Sequence, residues 1–139
     1  ISADEHIHTK TGFPTGSILY YIQRVRYLDG KALILDINMF LKSQVPGLTR
    51  EIAEGSIYDY IEKELGMQII TSKRTMTVEH TTQVDEKYLE LKDYNCLAVV
   101  TNQTYNADGI MFEYTQSRHR PDFFRFQETA TRKHRQETQ

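Results

Sequence analysis

Residues 17–41 read SILYYIQRVRYLDGKALILDINMFL, and the predicted architecture is built around this stretch. Two runs rich in aliphatic and aromatic residues flank Asp29-Gly30, a dipeptide typical of hairpin turns, so the stretch predicts two antiparallel strands. Arg24 and Arg26 lie on the first strand and Asp36 lies on the second. Side chains two positions apart on a strand project from the same face, which puts both guanidinium groups on one side. Because arginine offers a fixed fork of donors suited to phosphate or carboxylate, the hairpin predicts a site for a small anion.

The turn of this hairpin admits two registers. A two-residue turn on Asp29-Gly30 pairs Leu28 with Lys31 and places Asp36 on the face opposite the arginines. A three-residue loop with its glycine in the left-handed conformation pairs Tyr27 with Lys31 and places Asp36 on the same face as the arginines. We favour the three-residue loop because it gives the charged side chains partners. The alternative is a solvent-facing edge on which both arginines are simply exposed.

The composition is that of a single domain with a core of its own. The 139 residues carry a net charge of −2 and a pI near 6.2, which argues against a chain that itself coats nucleic acid. The single cysteine, Cys96, allows no internal disulfide and fits a reducing compartment. No apolar run approaches the ~18 residues of a membrane span and no signal peptide is evident, so we expect a cytoplasmic location and no membrane contact. The chain begins without methionine, so we expect an upstream segment.

The two ends of the chain differ from its middle. Residues 1–16, ISADEHIHTKTGFPTG, are polar and broken by glycine and proline, which predicts a linker or arm. His6 and His8 lie there, but no cysteine or acidic residue completes a metal-binding set with them, so we assign no metal. Residues 127–139 show no apolar periodicity and are predicted to form a polar tail. The folded domain is expected over residues 17–126.

Within that domain the spacing of apolar residues predicts both strands and helices. Helix 83–92 is expected to bury a stripe formed by Val84, Tyr88 and Leu91. The other predicted elements are helices at 48–54 and 56–65 and strands at 68–82, 96–105, 110–119 and 123–126. This pattern predicts an α+β fold with a mostly antiparallel sheet and inserted helices.

Candidate ligand groups also lie outside the hairpin. On strand 110–119, Glu113 and His119 project from the same face. Ser56 is a good N-cap for the helix that follows it, and a capped helix start offers free N–H groups to an anion. The alternative for Ser56 is a purely structural cap.

Several motifs together resemble one known family. They are R-V-R-Y-L-D-G-K at 24–31, P-G-L at 46–48, G-S-I-Y-D-Y at 55–60 and F-E-Y-T-Q-S-R-H-R-P-D-F-F-R-F at 112–126. In this order and spacing they resemble the effector-binding (UTRA) domain of bacterial GntR-family transcriptional repressors of the HutC subgroup. The resemblance implies a chorismate-lyase-like fold and a ligand-sensing role, with no catalytic residues and no cofactor.

The resemblance also implies which residues contact the ligand. Relatives that bind sugar phosphates hold the phosphate through the R-x-R pair and the G-S-x-Y motif, which here are Arg24, Arg26, Ser56 and Tyr58. Sugar hydroxyls are contacted by two carboxylates, which here are Asp36 and Glu113. Asp36 stands where relatives often have glutamate, and His119 stands where some have a tyrosine that contacts ligand.

The effector and the partners follow from the same resemblance. The H-R-P-D-F-F-R-F ending is most similar to the trehalose-responsive members of the group, which implies trehalose 6-phosphate as effector. An amino-sugar phosphate, a fatty acid and urocanate are the alternative ligands. An enzyme of the same fold is the other alternative, although no activated nucleophile, metal set or glycine-rich phosphate loop is evident. The family's amino-terminal winged helix-turn-helix domain is absent from this chain, so operator DNA would be bound through that missing part, by a homodimer.

Overall fold

The computed structural model describes residues 1–132 and contains a five-stranded antiparallel sheet. Its strands are β1 (Leu19–Leu28), β2 (Lys31–Leu41), β3 (Ile69–His80), β4 (Cys96–Asn106) and β5 (Met111–His119). They lie in the order β1-β2-β5-β4-β3, and every neighbouring pair is antiparallel. The helices are α1 (Glu5–Thr11), α2 (Arg50–Glu54), α3 (Ile57–Asp59) and α4 (Gln83–Tyr88), with a π-helical turn at Tyr60–Glu64 and a 3₁₀ turn at Pro121–Phe123. The predicted α+β class, with helices inserted into a mostly antiparallel sheet, is confirmed.

The β1–β2 hairpin closes with a two-residue turn. Asp29 and Gly30 have φ angles of 52° and 77°, and Leu28 pairs directly with Lys31. Two successive positive φ angles are those of a type I′ turn, whose twist matches that of the paired strands. The prediction of a three-residue loop that pairs Tyr27 with Lys31 is therefore wrong.

A β-bulge beside the turn nevertheless places the charged side chains on one face. The pairing shifts between Arg26 and Tyr27, which leaves Leu33 of β2 without an opposite residue. Beyond the bulge, Arg24 lies directly opposite Asp36. The predicted grouping of these charges on one face is correct, but the bulge rather than the turn produces it.

Apolar side chains pack on both faces of the sheet. On the face that carries Arg24, helices α2 and α3 bury a cluster that includes Phe40, Ala53 and Ile57. On the opposite face, clusters under α1 and behind α4 bury Ala3, Phe13, Leu19, Met39, Tyr114, Leu35, Leu89, Leu97 and Val99. The sheet is therefore held between two layers of helices, and the layer that contains α2 and α3 limits access to the arginine face.

The amino-terminal segment packs into the fold, unlike the linker or arm predicted for residues 1–16. Asp4 caps α1 by accepting a hydrogen bond from the backbone of Ile7. Phe13 is fully buried, and Ser2 forms a β-bridge with Ile18. Only a few apolar residues anchor this segment, and they do not recur at the spacing of a helix or a strand. The composition therefore suggested a linker.

Helix α4 is shorter than predicted and buries a different side chain. The predicted helix 83–92 ends at Tyr88, and both Val84 and Tyr88 are exposed. Asp85 is instead fully buried, and its two carboxylate oxygens accept hydrogen bonds of 2.9 Å from Arg118. The helix is thus anchored by a buried ion pair where an apolar stripe was expected.

The chain after β5 has no further strand in its described part. A 3₁₀ turn at Pro121–Phe123 includes the first residue of the strand predicted at 123–126, and residues 124–126 form no strand, so that prediction is wrong. Residues 127–132 contain no helix or strand, and the rest of the predicted polar tail, 133–139, lies outside the described residues. No helix within residues 1–132 is long and apolar enough to cross a membrane.

Candidate functional site

An ion pair between the two hairpin strands forms the outer part of the site. Arg26 Nε lies 2.7 Å from Asp36 Oδ2, and Arg26 Nη2 donates to Asp36 Oδ1 at 3.1 Å. The Arg26 side chain is 51% exposed and that of Asp36 only 15%. The guanidinium group is oriented by this two-point contact, and its Nη1 has no acceptor among the described residues. The guanidinium group of Arg26 is therefore held in place by Asp36 and can still donate to an anion through Nη1.

Arg24 connects the hairpin to helix α2. Its Nη1 donates to the carbonyl oxygen of Ala53 at 3.3 Å, and its Nη2 donates to Asn38 Oδ1 at 3.2 Å. These contacts leave other guanidinium N–H groups for a ligand. Arg24 also lines a cleft of about 530 Å³ between β1 and α2, whose walls include Ile22 and Arg50. A volume of this size is within the range of small-molecule sites.

Glu113 lies in the interior of the site, close to the charge of Arg24. Its side chain is 2% exposed and accepts a hydrogen bond from the hydroxyl of Tyr58. Thr104, which is also buried, lies directly opposite Glu113 on β4. Burial raises the pKa of Glu113, while the hydrogen bonds from Tyr58 and Thr104 and the charge of Arg24 act in the opposite direction. Burial and the neighbouring carboxylate also raise the pKa of Tyr58, which remains a donor at neutral pH.

His119 lies at the end of β5, beside the ion pair of the hairpin. It pairs with Ile34 of β2, and its ring packs against Phe124 with 5.1 Å between ring centroids. Burial lowers the pKa of the imidazole, the charge of Arg26 lowers it further and that of Asp36 raises it. A neutral imidazole at this position can donate one hydrogen bond and accept another, which suits a hydroxyl group.

Ser56 stands apart from the other candidate residues. Its Oγ accepts a hydrogen bond of 3.2 Å from the backbone of Asp59, which caps α3 as predicted. It lines a separate cleft with Asp59 and Lys63. Ala53, three residues earlier in the chain, accepts a hydrogen bond from Arg24, but no hydrogen bond joins Ser56 itself to either arginine in the described residues.

The predicted cations and carboxylates are interleaved along the site. Arg26, assigned to phosphate by the resemblance, is bonded to Asp36, and Tyr58 is bonded to Glu113, although both carboxylates were assigned to sugar hydroxyls. A phosphate bound at Arg26 therefore meets a carboxylate at close range. Within residues 1–132, no three His, Cys, Asp or Glu side chains converge as a metal site.

Two residues of the site escaped the sequence analysis. Asn38, whose side chain accepts a hydrogen bond from Arg24, lies two residues after Asp36 on β2. Because side chains alternate between the two faces of a strand, the reasoning that placed Asp36 beside the arginines could also have found Asn38. Thr104 lies opposite Glu113 because of the pairing register of β4 with β5. No feature of the β4 sequence indicates that register.

Comparison with known proteins identifies the family to which this architecture belongs. The UTRA domain matches residues 1–125, which includes helix α1 and the whole sheet. The chain belongs to the UTRA domain family. The match from the first residue agrees with the packing of the amino-terminal segment against the core.

The relatives of this chain include transcriptional regulators. The chain is 42% identical over 114 residues to the HTH-type transcriptional regulator TreR of Bacillus subtilis, which covers 82% of this chain and 48% of TreR. It is 25% identical over 133 residues to the mannosyl-D-glycerate transport/metabolism system repressor MngR of Escherichia coli, which covers 96% of this chain and 55% of MngR. The chain thus spans about half the length of the curated relatives it matches.

Solved structures of UTRA relatives have the same fold. The effector-binding domain of the B. subtilis trehalose repressor TreR has a TM-score of 0.86 at 37% identity, covering 96% of this chain and 93% of that one. A GntR-family transcriptional regulator from Bacillus cereus also has a TM-score of 0.86, at 29% identity, covering 94% and 92%. These similarities confirm the predicted chorismate-lyase-like fold, the resemblance to GntR-family regulators and the prediction that the domain is not an enzyme.

Proposed function

We propose that this UTRA domain is the effector-sensing part of a bacterial transcriptional repressor and that its effector is a phosphorylated sugar. The observation that carries the proposal is the pair of guanidinium groups, Arg24 and Arg26, on one face of the hairpin beside the buried Glu113. The similarity to the trehalose repressor TreR favours trehalose 6-phosphate. The alternative is another small anion, such as an amino-sugar phosphate.

The phosphate end of the ligand is assigned to the arginines. Each is oriented by protein contacts and retains N–H groups, so each can add charge-assisted hydrogen bonds to a dianion. Tyr58 contributes a hydroxyl close by, bonded to Glu113. Ser56 contributes only if the loop that joins α2 to α3 brings it closer to the arginines than it lies in this structure.

Contacts with the sugar hydroxyls are assigned to Asp36, Glu113 and His119, which lie among the arginines and not at a separate end of the site. Carboxylates repel phosphate but accept hydrogen bonds from hydroxyl groups, and a neutral imidazole can both donate and accept. If Tyr58 turns its hydroxyl to the phosphate, the buried Glu113 loses a donor. A sugar hydroxyl in its place restores that bond, whereas a ligand without the hydroxyl leaves the carboxylate one hydrogen bond short. Such groups discriminate between sugars once the phosphate is anchored.

Asp36→Asn should strengthen the binding of inorganic phosphate. The substitution removes the negative charge beside Arg26 and keeps a side chain of the same shape, so we expect a gain of about 1 kcal/mol, or roughly fivefold in affinity. Calorimetric titration at low ionic strength measures it, with Asp108→Asn, in the exposed β4–β5 turn, as the matched control. Equal affinities for Asp36→Asn and wild type would show that phosphate does not bind at Arg26.

Glu113→Gln should change the preference among sugars more than the affinity for phosphate. The amide keeps the shape of the side chain but turns one acceptor into a donor, so a bonded hydroxyl loses about 1–2 kcal/mol. Titration of wild type and variant with trehalose 6-phosphate, glucosamine 6-phosphate and inorganic phosphate tests both the site and the function. If wild type binds no phosphorylated sugar, the proposed function fails; if Glu113→Gln weakens sugar phosphate and inorganic phosphate equally, Glu113 acts through the fold.

The remaining parts of the proposal concern the full-length protein. The matches cover only 48% of TreR and 55% of MngR, which is consistent with a separate DNA-binding domain. We propose that an amino-terminal winged helix-turn-helix domain binds operator DNA as a cytoplasmic homodimer. The effector then acts by changing the relation between the two DNA-binding domains, with a coupling free energy of typically ~1–3 kcal/mol.

A further inference from the structure

A row of polar side chains crosses the sheet on the face that carries the arginines of the hairpin. It is formed by Asn38 on β2, Thr115 on β5, Asn102 on β4 and Arg74 on β3, which occupy directly facing positions of neighbouring strands. The guanidinium group of Arg24 donates to the first of them, so the row begins at the proposed phosphate site. It ends on β3, at the opposite edge of the sheet from β1.

Each asparagine of the row is held by an arginine. Arg24 Nη2 donates to Asn38 Oδ1 at 3.2 Å, and Arg74 Nε donates to Asn102 Oδ1 at 3.3 Å. The carbonyl oxygen of each carboxamide is therefore engaged, and its NH₂ group is left with two donors for a ligand. Arg74 is exposed on its edge strand, yet its guanidinium group is drawn inward over β4, toward the centre of the sheet.

The hydroxyl groups on β5 have no protein partner in the described residues. Thr115 and Ser117 are partly exposed on the face of the row, and neither hydroxyl forms a hydrogen bond with another residue within 1–132. Ser117 lies directly opposite Asp36, beside the ion pair with Arg26. Both side chains are short, although β5 is the central strand of the sheet, so they leave space above the sheet for a ligand.

A solvated sheet face is the plain alternative, because an antiparallel sheet can leave one face to water. Two features of the row go beyond it. Asparagine is depleted in strands because its side chain competes for backbone hydrogen bonds, yet the row contains two asparagines. Asn38 is only 9% exposed, so its carboxamide lies in the interior of the site and not on a solvated surface. The row is therefore better explained as the floor of a binding site.

The groups of the row are those that bind sugar hydroxyls. Carboxamide, hydroxyl and guanidinium groups donate hydrogen bonds to hydroxyl oxygens, and the hydroxyl of threonine also accepts them. From Asn38 to Asn102 the row covers two strand spacings, or about 10 Å. A hexose ring is about as wide as one strand spacing, so a ring bound beside Asn38 does not reach Asn102 or Arg74. A second ring linked to the first one does.

We propose that Thr115, Asn102 and Arg74 form a subsite for a second sugar ring, so that the effector is a disaccharide phosphate. The phosphate lies on the arginines of the hairpin, the first ring lies over Asp36 and Asn38, and the second ring lies over β4 beside Arg74. This subsite rests on the proposed function and narrows it to disaccharides, because a phosphorylated monosaccharide leaves the subsite empty.

Arg74→Ala and Asn102→Ala should each weaken the binding of trehalose 6-phosphate on the order of fivefold. Each variant removes a hydrogen bond to the second ring and leaves the phosphate and the first ring with their partners, so the affinity for glucose 6-phosphate should not change. The wild-type domain should bind trehalose 6-phosphate roughly tenfold more tightly than glucose 6-phosphate, because only the disaccharide fills the subsite. Calorimetric titration measures all of these affinities.

Lys73→Ala is the matched control for Arg74→Ala. It removes a positive charge from the neighbouring position of β3, but Lys73 lies on the opposite face of the sheet, across from Gln103. Both affinities should stay at their wild-type values. An equal loss of trehalose 6-phosphate binding in Lys73→Ala and Arg74→Ala would show that net charge and not a contact is responsible, and would overturn the proposal. Thermal unfolding without ligand verifies that all three variants are folded.

Side-chain amide signals test the position of the second ring without weakening the site. The NH₂ group of Asn102 gives a signal in a proton–nitrogen correlation spectrum, and the signal that disappears in Asn102→Ala identifies it. Saturating trehalose 6-phosphate should shift this signal, and saturating glucose 6-phosphate should leave it in place. A signal that moves equally with both ligands, or with neither, contradicts the proposal.

Failure of this subsite is distinguishable from failure of the proposed function. If wild type binds glucose 6-phosphate or glucosamine 6-phosphate as tightly as trehalose 6-phosphate, the phosphate site stands and the second-ring subsite is wrong. The same holds if Arg74→Ala and Asn102→Ala bind trehalose 6-phosphate like wild type, or weaken both classes of ligand alike. If wild type binds none of the three sugar phosphates, the proposed function fails and the subsite fails with it.

Discussion

Replacing Arg118 by alanine is expected to destabilise the domain by about 3–5 kcal/mol. Arg118 is 4% exposed and donates from Nε and Nη2 to the fully buried Asp85, at 2.9 Å in each case. Its Nη1 reaches Glu79 at 3.0 Å, so one guanidinium group joins β5 to α4 and to β3. Removing it leaves the Asp85 carboxylate buried without its cation, which costs far more than the loss of an exposed ion pair.

Thermal unfolding of Arg118→Ala measures this cost directly. For a domain of this size the melting temperature should fall by more than about 10 °C. Arg50→Ala is the matched control, because Arg50 pairs with Glu54 in a contact whose side chains are 92% and 67% exposed. That variant should change stability by less than about 0.5 kcal/mol. Similar losses for the two variants would show that the buried network does not anchor α4.

Arg26→Ala is expected to weaken sugar phosphate binding by more than about 1 kcal/mol without unfolding the domain. An arginine–phosphate contact is charge-assisted and typically contributes about 1.5–3 kcal/mol. The fold should survive because the Arg26 side chain is half exposed and its partner Asp36 can be hydrated in its absence. Titration with trehalose 6-phosphate gives the affinity, and melting of the variant without ligand checks the fold.

A control for Arg26→Ala must remove the same charge elsewhere. Arg125→Ala does so at an exposed position beyond β5 and should leave the affinity unchanged. If Arg26→Ala binds sugar phosphate as tightly as wild type, the phosphate is not held by the hairpin. If Arg125→Ala weakens binding as much as Arg26→Ala, the effect reflects net charge and not a specific contact.

The hairpin shows how far sequence reasoning reaches. Alternation of side chains correctly placed Arg24, Arg26 and Asp36 on one face, but by way of a three-residue loop that does not exist. The unpaired Leu33 of the bulge leaves no local signal, because it is an ordinary apolar residue within an apolar run. The face on which charged side chains lie can be inferred from their need for partners. The β-bulge that places them on that face depends on how the two strands pair, so it cannot be inferred from either strand alone.

The site and the first sixteen residues show where that reasoning stops. The contact of Tyr58 with Glu113 depends on how α3 sits on the sheet, which no local pattern encodes. Phe13 is fully buried at the end of a polar segment, so composition predicted a linker where a few long-range contacts order a helix. Likewise Asp85 is buried only because Arg118, on a distant strand, meets it.

Thermal unfolding of the wild-type domain with trehalose 6-phosphate, trehalose, glucosamine 6-phosphate and sulfate tests whether the domain binds a phosphorylated sugar. A ligand present at 100 times its Kd adds about 2.7 kcal/mol, which raises the melting temperature of a domain of this size by on the order of 10 °C. We expect a shift of this size with trehalose 6-phosphate and little or none with trehalose or sulfate. A large shift with glucosamine 6-phosphate alone would keep the phosphate site and change the effector. No shift with either sugar phosphate would contradict the assignment of Arg24 and Arg26 as a phosphate site.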